Sequence, residues 1–286
     1  MKFKYFYPTL TESWIIVLIL TFVGSLFGGG VGLLLAGSPL SIVNSSITYL
    51  CTMIPPIWYC AARGKKLSFS VIDSPKYIKI NQPNFGSFAA VPLFLLLAVA
   101  VLAIAIVVEP LTAWMEMPEY IRQLFEAAFD AQKPVDLIIC TAILAPLCEE
   151  FLCRGNMLRG MLSYKSPIKA ILWSGFIFAL IHFNPWQSVP AFILGCFFGW
   201  IYYKTHSLWA CIFMHFVNNA TSAICTIAFP DLGMSDTLSS IVDKGTYAII
   251  YFGALAILCG AIYLLNKKLN NNEETLSFKV QINTQE

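Results

Sequence analysis

The sequence predicts an all-α integral membrane protein in which about eight transmembrane helices form a bundle around an intramembrane cavity. Hydrophobic residues make up 58% of the 286 residues and charged residues only 12%. Long apolar stretches recur along the chain, and most of the cationic residues fall in alternate connections between them. A soluble domain carries about 25% charged residues. A soluble chain of this size cannot bury so much apolar surface, whereas a bilayer can accommodate it.

Eight apolar stretches are long enough, or nearly so, to cross the hydrocarbon core as helices of roughly 20 residues. They cover residues 14–36, 41–62, 87–108, 136–158, 168–184, 188–203, 207–229 and 246–266. The first is long enough to span and is followed by no clear small-residue cleavage site, so we interpret it as a span rather than a signal peptide. The fifth and sixth are short and joined by Asn184-Pro185-Trp186-Gln187, which predicts a tight helical hairpin.

We expect one polytopic membrane domain over residues 1–266 and a polar cytoplasmic tail over 267–286. A further amphipathic segment, 116–133, lies between the third and fourth predicted spans. Two glycine patterns, Gly24-x3-Gly28-x3-Gly32 and Gly195-x3-Gly199, are typical of helices that approach closely in lipid. The general abundance of glycine in membrane helices explains them equally well.

The positions of the cationic residues predict the orientation, because cytoplasmic loops of membrane proteins are enriched in Lys and Arg. With the N-terminus in the cytoplasm, the outside loops hold only Arg122, Lys133 and Lys244. The asymmetry predicts a multi-pass protein of the cell membrane, with an even number of spans and both termini cytoplasmic. The net charge of +2 gives no indication of a nucleic-acid partner. The inside loops hold Lys2, Lys4, Arg63, Lys65, Lys66, Lys76, Lys79, Arg154, Arg159, Lys165, Lys169, Lys204, Lys267, Lys268 and Lys279.

Two adjacent glutamates and an arginine lie within the fourth predicted span. A charged side chain at the centre of a membrane helix costs roughly 3 kcal/mol on insertion scales, and such residues often mark function. Glu150 and Arg154 are four residues apart and share a helix face, so they can pair. Glu149 lies about 100° away around the helix and is free to point into a cavity. The alternative is a salt-bridged helix end near the cytoplasmic surface.

Two histidines and an asparagine lie in other predicted spans. His182 ends an apolar run in the fifth span and is alternatively an interfacial or hydrogen-bonded core residue. His215 and Asn219 share a face of the seventh span, while His206, the third histidine, is expected to be solvated. A carboxylate, two imidazoles and an amide can activate water, since a carboxylate acts as a general base and imidazole or amide groups donate to an oxyanion.

The motifs Glu149-Glu150-x3-Arg154, Phe178-x3-His182 and His215-x3-Asn219 resemble the three signature motifs of the CPBP family of intramembrane proteases. That family includes the CAAX prenyl endopeptidases of the Rce type and the bacterial Abi proteins. The motifs occur in order over residues 149–219, within a CPBP-like core of about 136–229.

The resemblance implies an intramembrane endopeptidase in which Glu149 activates water, His182 positions or polarises it, and His215 with Asn219 stabilises the oxyanion. Glu150 and Arg154 are implied to support these four residues. The resemblance leaves the cofactor open: Glu149, His182 and His215 can ligate one zinc ion, and a metal-free glutamate mechanism is an equal alternative.

We expect a site that opens to the cytoplasm and cleaves a peptide or a membrane-anchored protein, with the lipid bilayer as its surroundings. The alternatives are a non-catalytic membrane partner, for example in bacteriocin immunity or sensor-kinase modulation, and a proton-coupled transporter, since buried Glu and His also form proton relays. On the predicted boundaries, Glu149 and His215 lie about 10 Å from the cytoplasmic edge and His182 roughly 10 Å deeper. We therefore expect residues 155–165 to form an amphipathic elbow and the fifth span to begin later.

Overall fold

The computed structural model describes residues 6–66, 78–128, 132–230 and 236–269, and the regular structure in these residues is helical. The predicted all-α class is therefore confirmed for the described chain. Residues 270–286 of the predicted tail lie outside it.

The helices are α1 (Leu10–Leu35), α2 (Asn44–Lys66), α3 (Ala90–Val108), α4 (Glu119–Ala128), α5 (134–162), α6 (Pro167–Leu180), α7 (Pro185–Thr205), α8 (Leu208–Ala228), α9 (Leu238–Ile241) and α10 (Lys244–Leu269). Wider π-type turns occur in α1 at Ile19–Gly24 and in α5 at Ile138–Leu144 and Phe151–Leu158, and short 3-10 turns at Pro39–Val43 and Glu109–Leu111.

Several of these helices can cross a membrane, so the chain is a multi-pass membrane protein. Among the described residues, five helices are long and apolar enough by length and composition: Leu10–Leu35, Pro39–Gly64, Ala90–Leu111, Leu208–Ala228 and Lys244–Leu269. The α6 helix is apolar but shorter. The α5 helix is long, but its apolar sequence is interrupted by Glu149, Glu150 and Arg154. The count of about eight spans stays a prediction.

Around residues 155–165 the structure differs from the sequence-based expectation. The α5 helix continues to residue 162 without an elbow, and residues 152–161 are buried rather than amphipathic. Arg159 is fully buried. Its guanidinium donates to the carbonyl oxygens of Phe6 and Ile78, at 2.6 and 3.1 Å, and these bonds offset the cost of burying the charge. The α6 helix begins at Pro167, so the expected later start is also wrong.

The connection between α6 and α7 lies about three residues earlier than predicted, at residues 181–184, because α6 ends at Leu180 and α7 begins at Pro185. The Asn184 side chain caps α7 by accepting a hydrogen bond from the backbone N–H of Gln187 at 2.8 Å. Proline is favoured at the first helical position, where its missing N–H costs nothing. The α6 helix ends at Leu180, so His182 lies in the turn rather than inside the helix.

Extended segments close one end of the bundle, which we call the sealed pole. Residues 6–9 and 78–88 lie across the ends of α5, α7, α8 and α10. The Tyr202 hydroxyl donates to the Ile80 carbonyl at 2.9 Å, and the Asn81 side chain accepts from the Leu208 N–H at 2.9 Å. These hydrogen bonds satisfy backbone groups that would otherwise be exposed at helix ends.

The opposite end, which we call the open pole, contains the α1–α2 and α6–α7 turns, residues 109–118 and residues 236–243. The Glu109 carboxylate accepts hydrogen bonds from the backbone N–H groups of Leu238 and Ser239, at 3.0 and 2.9 Å. The Trp186 indole donates to the Met115 carbonyl at 3.1 Å. These hydrogen bonds join the helix connections to one another at this end of the bundle.

The glycines of α1 provide the close approach to α2. A Cβ atom at Gly28 would overlap Thr52 and the Thr48 carbonyl, and a Cβ at Gly24 would overlap the Thr52 carbonyl. By contrast, Gly30 faces open space. Of the two explanations for this glycine pattern, close helix packing is the one that the structure supports.

Replacement of Gly28 by alanine should destabilise the fold by about 1–3 kcal/mol, because overpacking displaces α2. Gly30→Ala is the matched control and should be neutral or stabilising by up to about 1 kcal/mol, since alanine is the better helix former. Thermal unfolding of both purified variants in detergent measures the difference. Equal midpoints for the two variants would show that α1 does not pack through this face.

Candidate active site

Glu149 presents its carboxylate to a cavity of about 1090 Å³. The α5 helix places it near the middle of the bundle, and the Tyr49 hydroxyl of α2 donates to its Oε1 at 2.9 Å. Its Oε2 is buried and has no hydrogen-bond partner among the described residues. A buried carboxylate oxygen without a partner is costly. Glu149, which lines the cavity, therefore holds an acceptor whose hydrogen bond is not satisfied by the described residues.

Glu150 lies behind the cavity wall at the centre of a buried polar network. Its side chain is fully buried, and its Oε1 accepts from Arg154 Nη1 and from His215 Nδ1, both at 2.9 Å. Arg154 Nη2 donates to the Gly195 carbonyl at 2.8 Å. The network thus joins α5, α7 and α8 through charge-assisted hydrogen bonds, which are stronger than neutral ones.

The guanidinium of Arg154 is also held between aromatic rings. Its Cζ lies 4.5 Å from the ring centroid of Phe178 and 5.5 Å from that of Phe198. Both rings contact His215, with centroid distances of 5.5 and 5.8 Å. Cation–π contacts of a desolvated guanidinium contribute about 2 kcal/mol. The rings therefore offset part of the cost of burying this charge and fix the plane of the His215 ring.

His182 is oriented by the turn that follows α6. Its Nδ1 lies 2.8 Å from the Phe178 carbonyl. Because a carbonyl only accepts, Nδ1 carries the proton, and Nε2 has the free lone pair of the neutral ring. The Asn184 amide donates to the His182 carbonyl at 2.7 Å, and Phe183 takes a left-handed conformation with φ 55°. The turn is therefore fixed by local hydrogen bonds around His182.

Asn219 is fixed by hydrogen bonds at both ends of its amide. Its Nδ2 donates to the Thr141 carbonyl at 2.8 Å, and its Oδ1 accepts from the Asn218 amide at 3.0 Å. An amide nitrogen carries two hydrogens, so one N–H of Asn219 is left for another acceptor.

Glu149, His182, His215 and Asn219 all line the same cavity, whereas Glu150 and Arg154 do not. The predicted boundaries placed His182 roughly 10 Å deeper than Glu149 and His215, but in the structure all three line one cavity. Because α5 runs from residue 134 to 162, Glu149 lies about 20 Å from either end of the helix rather than near one edge. The structure thus brings together the four residues that the sequence marked as catalytic candidates, while their roles stay predictions.

The predicted zinc ligands do not form a metal site in this arrangement. Within the described chain, no three His, Cys, Asp or Glu side chains come together closely enough to hold an ion. Glu149, His182 and His215 share the cavity but are not grouped as a ligand set. The zinc-dependent and the metal-free glutamate mechanism both stay predictions.

Sequence reasoning missed Tyr49, which contacts the candidate base. A signal was present: Asn44, Thr48 and Thr52 recur every four residues along α2, with Tyr49 beside them, and all line the cavity. Such a polar stripe on a membrane helix indicates a face turned away from lipid. His206 also differs from its predicted solvated state, because it is half-buried at the end of α7 with φ 51°.

Comparison with known proteins gives a family match over this part of the chain. Residues 131–221 match the family model described as type II CAAX prenyl endopeptidase Rce1-like. The chain carries an Rce1-like domain. The family resemblance predicted from the three motifs is therefore confirmed, and all seven motif residues lie inside the Rce1-like domain. Searches of curated proteins and of solved structures gave no match.

Glu150→Ala should destabilise the protein by about 3–5 kcal/mol, because it leaves the buried Arg154 charge unpaired. Glu119→Ala is the matched control: Glu119 pairs with Arg122 three residues along α4, with side chains 62% and 35% exposed. An exposed pair contributes only about 0–1 kcal/mol. Thermal unfolding in detergent compares the two variants. Similar losses would mean that the buried network does not stabilise the Rce1-like domain.

Proposed function

We propose that the protein is an intramembrane endopeptidase that hydrolyses a peptide bond with water activated by Glu149. The observation that carries the proposal is that Glu149, whose Oε2 is buried and has no hydrogen-bond partner among the described residues, lines one cavity with His182, His215 and Asn219. The match of this segment to an endopeptidase family supports the same reaction class.

The first step is the activation of water. Tyr49 donates to Oε1 of Glu149, which leaves Oε2 to accept a proton from a water molecule. His182 orients the same water through Nε2, since its Nδ1 is bound to the Phe178 carbonyl. A positioned general base of this kind accelerates proton transfer by about 10²–10⁴-fold.

The second step is stabilisation of the tetrahedral intermediate. Water oxygen bonds to the peptide carbonyl carbon, and the carbonyl oxygen becomes an oxyanion. Asn219 donates its remaining N–H to that oxyanion. His215 donates from Nε2 when both ring nitrogens carry a proton, and its Nδ1–H continues to donate to Glu150. Donors fixed before the reaction stabilise such charge most effectively.

The third step breaks the carbon–nitrogen bond. The oxyanion re-forms the carbonyl, and the proton held by Glu149 passes to the departing amine nitrogen. The products are a new carboxylic acid, which loses its remaining proton to solvent, and a new amine, and Glu149 returns to its ionised state. Glu150 and Arg154 contact none of the reacting atoms and act as positioning residues for His215.

Glu149→Gln should lower the rate of cleavage of a membrane-anchored peptide by about 10²–10⁴-fold, because an amide cannot accept the proton of water. His182→Ala and His215→Ala should also reduce cleavage strongly. The assay uses the full chain in liposomes with a library of membrane-anchored peptides, read by mass spectrometry. Glu119→Gln makes the same chemical change outside the cavity and should cleave as fast as the wild type. The protease proposal fails if the wild type and the cavity variants behave alike.

Tyr49→Phe should cause a smaller loss, about three- to tenfold, which corresponds to one hydrogen bond of roughly 1 kcal/mol. The variant keeps the ring and removes only the hydroxyl that contacts Glu149. The same liposome assay, together with a thermal unfolding midpoint, separates a catalytic effect from a folding effect. An unchanged cleavage rate would show that Tyr49 does not act on Glu149.

A further inference from the structure

We propose that the cavity is entered from the extracytoplasmic side of the membrane, and that it accepts neutral or basic polypeptide segments presented there. The direction of access is independent of the chemistry. The polypeptide nature of the ligand rests on the proposed function. The inference replaces the cytoplasmic opening expected from the sequence alone.

The residues that line the cavity are distributed unevenly along the helices. On six helices they begin in the half nearer the open pole. On α7 and α8 they continue past mid-helix to Phe198 and His215, which lie about 10 Å from the sealed-pole ends of these helices. The lining positions fall within 29–33 of α1, 44–52 of α2, 105–108 of α3, 140–149 of α5, 186–198 of α7 and 215–226 of α8.

The two poles contribute differently to the cavity lining. At the open pole, Glu109 and Thr112 after α3 and residues 236–238 before α9 line the cavity. At the sealed pole, no residue of segments 6–9 and 78–88 lines it. These segments hydrogen-bond to helix ends, as in the 2.8 Å bond from Asn84 N–H to the Thr205 carbonyl. A ligand from that side would have to displace these hydrogen bonds.

The distribution of cationic residues assigns the two poles to sides of the membrane. The helix ends at the sealed pole carry most of the cationic residues, and lysine and arginine enrichment marks the cytoplasmic side. At the open pole, the described residues include Arg122, Lys133 and Lys244 as the cations. The sealed pole carries Arg63, Lys79, Arg159, Lys165, Lys169, Lys204, Lys267 and Lys268. The open pole is therefore the extracytoplasmic one.

The charge of the cavity lining favours certain ligands. Its described lining contains three carboxylates, from Glu109, Glu149 and Asp236, and no lysine or arginine. A concave site with charges of one sign concentrates ligands of the opposite sign. An anionic ligand, including a chain end with a free carboxylate, would find no cationic partner here. Neutral or basic segments fit the lining better.

The test uses two serine-to-cysteine variants of the full chain. Ser222 is exposed and lines the cavity, whereas Ser166 is exposed in the α5–α6 connection at the sealed pole and makes no side-chain capping bond. Right-side-out and inverted membrane vesicles are treated with membrane-impermeant methanethiosulfonate reagents. Mass spectrometry then identifies the modified cysteine, which separates it from the native cysteines.

We expect Ser222→Cys to be modified in right-side-out vesicles and Ser166→Cys in inverted vesicles. At Ser222→Cys, the cationic reagent should react roughly tenfold faster than the anionic one, after correction for their rates with a free thiol. The proposed access route would be overturned by any of three results. Both cysteines could be modified from the same side, Ser222→Cys could be modified from the cytoplasmic side only, or Ser222→Cys could be protected from both sides. Equal rates for the two reagents would overturn the proposed charge preference.

These measurements do not depend on proteolysis. If the peptide assay fails and the labelling pattern is as expected, the proposed function is wrong and the access route stands. If cleavage is observed and Ser222→Cys is modified only from the cytoplasmic side, the proposed function stands and the access route is wrong.

Discussion

The arrangement of the site depends on one buried carboxylate. Glu150 has no exposed surface, yet it holds Arg154 from its own helix and His215 from α8. An ionised carboxylate in an apolar bundle is tolerated only if it is paired and hydrogen-bonded. The contacts of Glu150 with Arg154 and His215, together with the bond from Arg154 to the Gly195 carbonyl, therefore join α5, α7 and α8 at this point.

This constraint separates the roles of two adjacent glutamates. Because Glu150 turns toward Arg154 and His215, its neighbour Glu149 faces away from the network and toward the cavity. The same network fixes His215, whose ring is held by Glu150 and by two phenylalanines. A buried ion pair often contributes little net stability compared with apolar packing. Its value here is geometric, since it fixes which side chains the cavity presents.

The helical class, the membrane environment and the four cavity residues could be predicted from the sequence, because charged and polar side chains are conspicuous in apolar stretches. The contact between Glu150 and His215 could not, since it joins residues on different helices and leaves no local pattern. The continuation of α5 through Arg159 was missed for a similar reason. Its buried guanidinium is stabilised by carbonyls of Phe6 and Ile78, far away in the chain.

The central claim is that Glu149 directs a water molecule, rather than its own oxygen, onto the peptide carbonyl. A single turnover in water enriched in oxygen-18, followed by mass spectrometry of product and protein, tests this most directly. The account predicts one oxygen-18 atom in the new carboxylate of the product and none in Glu149. Oxygen-18 in the Glu149 side chain, with an unlabelled product, would show a covalent intermediate and contradict the account, as would the absence of any product.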